Sequence, residues 1–457
     1  MNNNLSAWDL QNINDTLYWD NCSLPDIAHE FGTPVYVISK NKIRKNFEEV
    51  SNAFNFSGVS TEIFYSVKSN PVPSILKYLF SLGCGAEIIS EYELWLVKKL
   101  GLSGDKIIVN GVVKSEKFLR CAIEYNVKLI NVESENELLI LKKIAHESGK
   151  KISVGLRINP ELKTKKFDFT LSTANSCSHI GLIEGSKEWN SVIEILKSEK
   201  LLDLNAIHFH LGSGIKRSVP YKKALRKALE VWDMLIKSGF NPSVLDIGGG
   251  FNISTLKEMN LWDAVRIFEL NKSFNNEKNS GNNIIDSVSS ILFHEIKDFS
   301  ERNKISVPEI IIEPGRRITS SSQILLLKVI RIIQRDKNIT YAVCDAGGMS
   351  ISPLLFLEDH KILPVKNHYT NQQKTYMLLG SLPSPLDIVS FKRTLPILFE
   401  GDILAVMDSG AYFTSLGNNF AGPRCGIILL DNRTRQIIKR KEEFEDMILR
   451  DMFNGKG

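Results

Sequence analysis

Four apolar, strand-like runs in this sequence end in residues whose types could do chemistry. The first is Lys68, after EIFYSV, and the second is His210 near the end of NAIHFHL, with Ser213 in the turn that follows. The others are the glycines Gly248, Gly249 and Gly250 after SVLDI, and Glu313, Gly315 and Arg316 after PEIII. An amine can attack a carbonyl, and a glycine-rich turn brings main-chain N–H groups close to a phosphate. Together the endings indicate a site for an anionic, aromatic group held by an amine. Taken singly, each has a plainer interpretation: a surface lysine, a buried histidine or a loose turn.

The elements that must position these residues alternate between strand-like and helical patterns from about residue 35 to residue 315. The candidate strands are VYVIS (35–39), EIFYSV (62–67), KIIV (106–109), VKLINV (127–132), KISVGLRI (151–158), NAIHFHL (205–211), SVLDI (243–247) and PEIIIE (308–313). Capping patterns at Ser90 to Glu93 and Ser134 to Glu137 mark two helix beginnings. These repeats predict an α/β fold, a (β/α)8 TIM barrel, with an open doubly wound sheet as the alternative.

A barrel also predicts where the chemistry lies. The carboxyl ends of all its strands open onto one face, and catalytic residues gather there. Lys68, His210, the glycines and Glu313 all follow strands, so we expect them on one rim although they are far apart in sequence.

The sequence pattern changes after residue 320, where strand-like runs such as GDILAVMDSGAY and CGIILLD replace the alternation of strands and helices. The predicted domains are therefore the barrel at 35–319 and a mostly β C-terminal domain at 320–457. We expect the N-terminal segment, 1–34, to pack with the β domain.

Composition excludes several classes of protein. The 457 residues carry 57 basic and 52 acidic side chains, a net charge of +5, with no aromatic-basic stripe that would bind nucleic acid. The six cysteines show no zinc-site spacing, so no metal site is predicted, and they suggest a reducing compartment. No apolar run is long enough to span a membrane. We expect a cytoplasmic protein that binds neither nucleic acid nor membrane.

The motifs YSVKSNP, HLGSG, DIGGGF and EPGRR resemble, in order and spacing, those of the fold-type III pyridoxal-phosphate enzymes, in particular the diaminopimelate and ornithine decarboxylase group. The resemblance extends from about residue 30 to residue 430. It implies an alanine racemase-like barrel with a β domain, pyridoxal 5'-phosphate as cofactor, and a homodimer with shared active sites.

The resemblance also implies roles for single residues. Lys68 would attach the cofactor covalently, His210 would stack on its ring, and Glu313 would pair with the ring nitrogen. Glu87 would lie near the ring, where the family usually has aspartate. The phosphate would be held by Ser213, Gly248, Gly249, Gly250, Gly315, Arg316 and Tyr412.

Departures from the family pattern bear on the substrate. The stretch Gly380 to Asp387, GSLPSPLD, has Pro383 where decarboxylases of this group have the cysteine that donates a proton to the substrate Cα, and Ser384 where they have an acidic residue. Leu354 and Glu358 stand where diaminopimelate decarboxylases have an arginine and a tyrosine. Ser384, Asp387 and Glu358 are therefore tentative substrate residues, and diaminopimelate is disfavoured.

The expected function is decarboxylation of an α-amino acid or of a derivatised amino-acid intermediate, such as one linked to a carrier or a conjugate. The expected setting is siderophore- or antibiotic-type biosynthesis. The PLD ending of GSLPSPLD resembles enzymes of that branch. Three alternatives stay open at this point: a racemase or epimerase, a decarboxylation-coupled oxidative deaminase, and a non-catalytic homologue. The intact set of Lys68, His210, Glu313 and Arg316 disfavours the last.

Overall fold

The computed structural model describes residues 5–162, 174, 178–258, 284–336, 339–366 and 372–452. The helices are α1 (Leu24–Phe31), α2 (Lys40–Ala53), α3 (Pro73–Ser81), α4 (Glu91–Lys99), α5 (Glu116–Glu124), α6 (Glu135–Ser148), α7 (Lys187–Ser198), α8 (Ser218–Lys237), α9 (Ile284–Asn303), α10 (Arg316–Thr319), α11 (Leu354–Leu357) and α12 (Phe444–Ile448). Short 3₁₀ turns include Val67–Ser69, which carries Lys68.

The strands are β1 (Gln11–Ile13), β2 (Thr16–Trp19), β3 (Cys22–Ser23), β4 (Val35–Ser39), β5 (Thr61–Ser66), β6 (Gly85–Ile88), β7 (Ile107–Val109), β8 (Leu129–Val132), β9 (Ile152–Arg157), β10 (Leu202–His208), β11 (Val244–Asp246), β12 (Lys257–Glu258), β13 (Glu309–Ile312), β14 (Gln323–Asp336), β15 (Ile339–Cys344), β16 (Glu358–Asp359), β17 (Ile362–Pro364), β18 (Gln373–Leu379), β19 (Ile388–Pro396), β20 (Ile403–Val406), β21 (Gly426–Asp431) and β22 (Thr434–Lys439).

The chain divides into two compact units. The barrel unit comprises residues 48–252 and 282–317, and the β unit comprises residues 1–47, 253–281 and 318–457.

The barrel unit contains a closed barrel of parallel strands. Its order is β5, β6, β7, β8, β9, β10, β11 and β13, and β13 pairs with β5 to close the ring. Its apolar interior is a buried cluster of Phe64, Ile108, Leu129, Ala206, Val244 and Ile311. The predicted (β/α)8 TIM barrel is therefore confirmed.

One predicted barrel strand was wrong. VYVIS forms β4, which pairs with β14 and β21 of the β unit, and the barrel position is taken by β6, GAEI, which the sequence reading missed. Every residue of β4 is buried, as in a barrel strand, so its composition does not reveal its pairing partner. The strand β6 has only four residues, and a Cβ at Gly85 would lie 2.5 Å from the Phe64 ring, so this position excludes the β-branched residues that mark strands.

The β unit is built mainly from strands, which confirms the predicted β-rich second fold. Its main sheet runs in the order β19, β18, β15, β14, β4, β21, β22, with β20 pairing with β14 and β17 with β20. The N-terminal segment contributes Trp8 and Trp19 to a buried cluster that also contains Ile324 and Leu326 of β14. The indole N–H of Trp19 donates to the Trp8 carbonyl at 2.8 Å.

Two helices of the barrel unit begin with the predicted serine caps. Ser90 and Ser134 each accept the main-chain N–H three residues on, from Glu93 and Glu137. The Glu137 carboxylate in turn accepts the N–H of Glu133 at 3.0 Å, one residue before the cap. These contacts satisfy amides that the first turn of a helix would otherwise leave unpaired.

Among the described helices, none is both long enough and apolar enough to cross a lipid bilayer.

Replacing Ser134 by alanine removes the side-chain cap of α6. We expect a loss of about 1 kcal/mol of stability, because the Glu137 amide loses its acceptor. The apparent melting temperature of the full chain should fall by roughly 2 °C. Ser51→Ala, at an exposed helical position of α2, is the matched control and should leave it unchanged. Equal melting temperatures for the two variants would contradict the capping role.

Candidate active site

A buried polar side chain lies at or next to the carboxyl end of each barrel strand. In barrel order from β5 these are Ser66, Glu87, Asn110, Asn131, Arg157, His208, Asp246 and Glu313. Buried polar groups are stable only when they are hydrogen-bonded. The parallel strands thus place a polar layer at the end of the barrel where catalytic residues of this fold lie.

Lys68 lies at this layer, one 3₁₀ turn beyond β5. Its Nζ donates to both carboxylate oxygens of Glu87, at 2.6 and 2.9 Å. The Ser66 hydroxyl donates to the same carboxylate at 2.5 Å. Glu87 is 1% exposed, whereas about a third of the Lys68 side chain is exposed. The amine is therefore held by a buried acid and is still accessible from outside.

Asn110 connects this pair to Glu313. Its Nδ2 donates to Glu87 at 3.2 Å and to Glu313 at 2.6 Å. Asn131 extends the network, since its Nδ2 donates to Asn110 at 2.8 Å and to Asp246 at 3.1 Å. The structure thus brings Lys68, Glu87 and Glu313, predicted from separate motifs, into one hydrogen-bonded network.

The pKa values of Glu87 and Glu313 shift in opposite directions. Burial by itself would raise the pKa of Glu87, but the charge of Lys68 and the hydrogen bonds from Lys68, Ser66 and Asn110 outweigh it and lower that pKa. Burial raises the pKa of Glu313 well above its ordinary value, and the nearby charges of Asp246 and Glu87 add to the effect. Glu87 is therefore the anionic partner of Lys68, and the surroundings of Glu313 favour its protonated form.

His210 is fixed by the glycine turn after β11. Its Nδ1 accepts the N–H of Gly249 at 3.2 Å, which places the proton of the neutral ring on Nε2. Burial, and then the charges of Arg157 and Lys68, lower the pKa of His210 to about 3. The ring is thus a neutral, flat surface at neutral pH.

The glycine turn approaches the turn after β10 backbone to backbone. Gly250 has φ +87°, and a Cβ there would lie 2.0 Å from the Gly212 carbonyl oxygen. Ile215 donates its N–H to the Gly250 carbonyl at 2.9 Å, so Ser213 lies in the turn beside the glycines. Only glycine permits this approach, which is the geometry of a main-chain anion cradle.

Gly315 and Arg316 follow Glu313 and begin α10. A Cβ at Gly315 would lie 2.0 Å from the Ser69 hydroxyl, so this turn packs directly against the one that carries Lys68. Arg316 is the first residue of the helix.

The remaining predicted residues belong to the β unit. Tyr412 adopts φ +65°, a left-handed conformation unusual for its type. The Asp387 carboxylate accepts the N–H groups of Met349 at 3.0 Å and Leu382 at 2.8 Å, so it ties two turns together. Ser384 accepts the N–H of Leu386 at 3.3 Å, and Glu358 is buried 3.3 Å from His360 Nε2. Their substrate roles stay predictions.

Sequence reasoning missed Asn110, Asn131, His208 and Asp246. All four lie at or next to the end of a barrel strand, so the positional rule that selected Lys68 and Glu313 would have found them. Their neighbours, such as the glycines after Asp246, form more distinctive sequence motifs.

The side chains of this layer fit pyridoxal phosphate. They supply an accessible amine on a buried acid, a neutral imidazole, a buried carboxyl group and a glycine-only turn beside a serine. A covalent anchor, a flat partner, a partner for the ring nitrogen and a phosphate cradle are the four functions that such a cofactor needs.

Removing the cation of the Lys68–Glu87 pair leaves a buried anion. In cofactor-free protein at pH 7.5, we expect Lys68→Met to lower stability by about 2 kcal/mol. The double variant with Glu87→Gln should recover most of it, because a neutral amide tolerates burial beside Ser66 and Asn110. Since the lowered pKa of Glu87 stabilises the fold only above its unfolded value of 4.5, the loss in Lys68→Met should shrink as pH falls below that value. Melting curves across pH measure this, and equal losses in single and double variants would contradict the pairing.

Comparison with known proteins agrees with the geometry. The family model described as "Pyridoxal-dependent decarboxylase, pyridoxal binding domain" matches residues 40–320. The diaminopimelate decarboxylase of Aquifex aeolicus is 30% identical over 439 residues, 94% of each chain. That of Methanocaldococcus jannaschii is 27% identical over 434 residues, 93% of each chain.

Solved structures show the same relationship. A crystal structure of diaminopimelate decarboxylase from M. jannaschii covers 98% of each chain, with a TM-score of 0.86 and 25% identity. Family match, curated relatives and fold converge: this chain belongs to the pyridoxal-phosphate-dependent decarboxylases of fold type III, as an amino-acid carboxy-lyase.

Proposed function

We propose that this decarboxylase acts on an α-amino acid whose distal end is derivatised, for instance by linkage to a carrier or a conjugate, and that diaminopimelate is a poor substrate. The observation that supports this is the pair Leu354 and Glu358, which stand where the family resemblance expects an arginine and a tyrosine. Leu354 is buried and cannot bind a carboxylate. Glu358 would repel one.

Glu358 is also occupied inside the β unit. It is 4% exposed and lies 3.3 Å from the His360 Nε2, while the Nδ1 of His360 donates to the Met407 carbonyl at 2.9 Å. Ser384 supports the same conclusion, because a free distal ammonium group would favour a carboxylate at this position. A neutral, derivatised distal end suits both positions.

The residues of the barrel unit have distinct tasks in this proposal. Pyridoxal phosphate supplies an electron sink for the charge left on Cα when the carboxylate leaves as CO₂. Lys68 would hold the cofactor, and its amine must be uncharged to bond to the cofactor's carbonyl carbon. His210 would offer its uncharged ring to the cofactor, and Glu313 would pair with the ring nitrogen. The glycine turn, Ser213, Gly315 and Arg316 would hold the phosphate, and the family resemblance adds Tyr412 of the β unit to this set.

The fate of Cα is the point at which alternative outcomes diverge. Pro383 has no acidic hydrogen, so the proton that replaces CO₂ must come from another group, with Lys68 or a water as candidates. If that proton arrives slowly, O₂ can oxidise the substrate instead, which is the deaminase alternative. A racemase is less consistent with Glu313, because a carboxylate there would keep the ring nitrogen protonated, and a protonated ring would take up the electron pair left at Cα. The amine, acid and imidazole of the barrel unit leave little reason for a non-catalytic role.

A second candidate substrate is diaminopimelate itself, which is favoured by the names of relatives that match 93% to 94% of this chain. None of the relatives cited above carries a siderophore or antibiotic name, so that pathway assignment rests on the PLD ending alone. The homodimer with shared sites and the cytoplasmic location likewise rest on the resemblance and the composition.

A substrate panel with two products measured tests this proposal. Meso-diaminopimelate, lysine, ornithine and their side-chain N-acyl forms are each incubated with the cofactor-loaded full chain, and CO₂ and H₂O₂ are quantified. We expect kcat/KM for at least one N-acyl substrate to exceed that for diaminopimelate at least tenfold. Pro383→Cys, with Pro385→Cys as the matched control in the same loop, should lower the ratio of H₂O₂ to CO₂.

The results separate the alternatives. Efficient turnover of diaminopimelate alone would overturn the derivatised substrate while leaving the decarboxylase class intact. H₂O₂ in stoichiometric amounts would favour the oxidative deaminase.

A further inference from the structure

A second buried carboxyl group, Asp246, lies behind Glu313 and has no role in the site described so far. Asp246 ends β11 and is 0% exposed, while Glu313 follows β13 and is 4% exposed. One carboxyl oxygen of Asp246 and one of Glu313 lie within 4.8 Å of each other. Two carboxylates at this separation in a dry interior cannot both be anionic without a strong penalty, so one of them must hold a proton.

The carboxyl oxygens of both acids accept hydrogen bonds from neighbouring N–H groups. Asp246 accepts the N–H of Gly248 at 3.0 Å and the Asn131 amide at 3.1 Å. Glu313 accepts the Asn110 amide at 2.6 Å. Each acid is thus fixed by neutral donors that stabilise an anion. Gly248 and Asn131 donate to different oxygens of Asp246, and each of these oxygens keeps a second lone pair that can accept a proton from Glu313.

His208 does not take that proton. One of its nitrogens and one oxygen of each acid lie within 4.8 Å of one another, and Nε2 lies 3.8 Å from Glu313 Oε2. Within the described part of the chain, neither ring nitrogen has a hydrogen-bond partner. Burial lowers the pKa of His208 well below its ordinary value, and the charge of Arg157 adds to this. The proton therefore stays on the carboxyl pair.

We propose that Asp246 and Glu313 share one proton, and that Asp246 takes it over when Glu313 faces a positively charged ring nitrogen. In that transfer the O–H bond of Glu313 breaks and an O–H bond of Asp246 forms, so the pair keeps a single negative charge. Asp246 is a positioning residue that acts through Glu313. This inference rests on the proposed role of Glu313 as the partner of the ring nitrogen.

The direction of the transfer follows from charge. In the free protein we place the proton on Glu313, because Asp246 accepts two N–H donors that stabilise its anion, from Gly248 and Asn131, whereas the donor described for Glu313 is the Asn110 amide. Burial raises the pKa of Glu313 well above its ordinary value, which agrees with this placement. Burial raises the pKa of Asp246 to about 7, so it can accept a proton at neutral pH. A cation beside Glu313 favours the Glu313 carboxylate and so moves the proton to Asp246. The charged and titratable groups around the pair are Lys68, Glu87, Lys114, Arg157, His208 and His210.

Isotope-edited infrared titration of the cofactor-free full chain tests the shared proton. With ¹³C-labelled glutamate carboxyl groups, the C=O stretch that disappears in Glu313→Gln reports the protonation of Glu313. Asp246→Asn removes the neighbouring negative charge, so the titration midpoint of Glu313 should fall by about one pH unit or more. The matched control is Asp233→Asn on α8, whose partly exposed side chain pairs with Lys237, and it should leave the midpoint unchanged. An unchanged midpoint in Asp246→Asn overturns the proposal.

A reciprocal titration covers the case in which Asp246→Asn does not fold. Coupling between two sites is mutual, so Glu313→Gln should lower the midpoint of Asp246, read in protein with ¹³C-labelled aspartate, by the same amount. An Asp246 midpoint that does not move would again overturn the shared proton.

The transfer itself is read by adding pyridoxal phosphate at pH 7. Before addition, the C=O band of the protonated carboxyl group should shift in protein with ¹³C-labelled glutamate. After addition, it should shift in protein with ¹³C-labelled aspartate instead. A stretch that stays on glutamate, or that vanishes from both, overturns the transfer. None of these measurements uses turnover, so a chain that fails to decarboxylate any substrate can still show the coupling, and an active chain can lack it.

Discussion

The burial of Glu87 and Glu313 inside one barrel is the constraint on which the site depends. A buried carboxyl group must be paired with a cation, hydrogen-bonded or protonated. Glu87 meets this need with Lys68, at 2.6 Å, and Glu313 meets it with the Asn110 amide, also at 2.6 Å. The same contacts that make burial tolerable also fix the amine and the acid at the positions that carbonyl chemistry requires.

The barrel makes this arrangement possible because its strands are parallel. All their carboxyl ends therefore lie at one rim, and a side chain at or next to a strand end, such as Asp246 of β11, lies at that rim. The eight strand ends then supply a ring of polar groups that neighbouring residues in the chain could not form. Asn110 and Asn131 matter here as neutral links, since each donates to two acceptors and adds no charge.

The barrel and its key residues could be predicted from the sequence, because a polar side chain stands out at the end of an apolar strand. Lys68, His210 and Glu313 were found that way. The sequence did not carry strand pairing: VYVIS and a barrel strand share one composition, and only the contact with β14 and β21 distinguishes them. Nor did it carry the network, because the link between Glu87 and Glu313 runs through an asparagine that resembles any polar loop residue in sequence. The relation of Ser384, Asp387 and Glu358 to a substrate depends on chemistry that neither pattern nor local hydrogen bonding contains.

The proposed activity depends on which lysine binds the cofactor. Borohydride reduction of the cofactor-loaded full chain, followed by peptide mass mapping, locates the lysine that carries the cofactor. We predict modification at Lys68 and loss of the visible-edge absorbance in Lys68→Ala. Modification of Lys114, whose ammonium group is buried in an ion pair with Glu137, or of any surface lysine in place of Lys68, would contradict it.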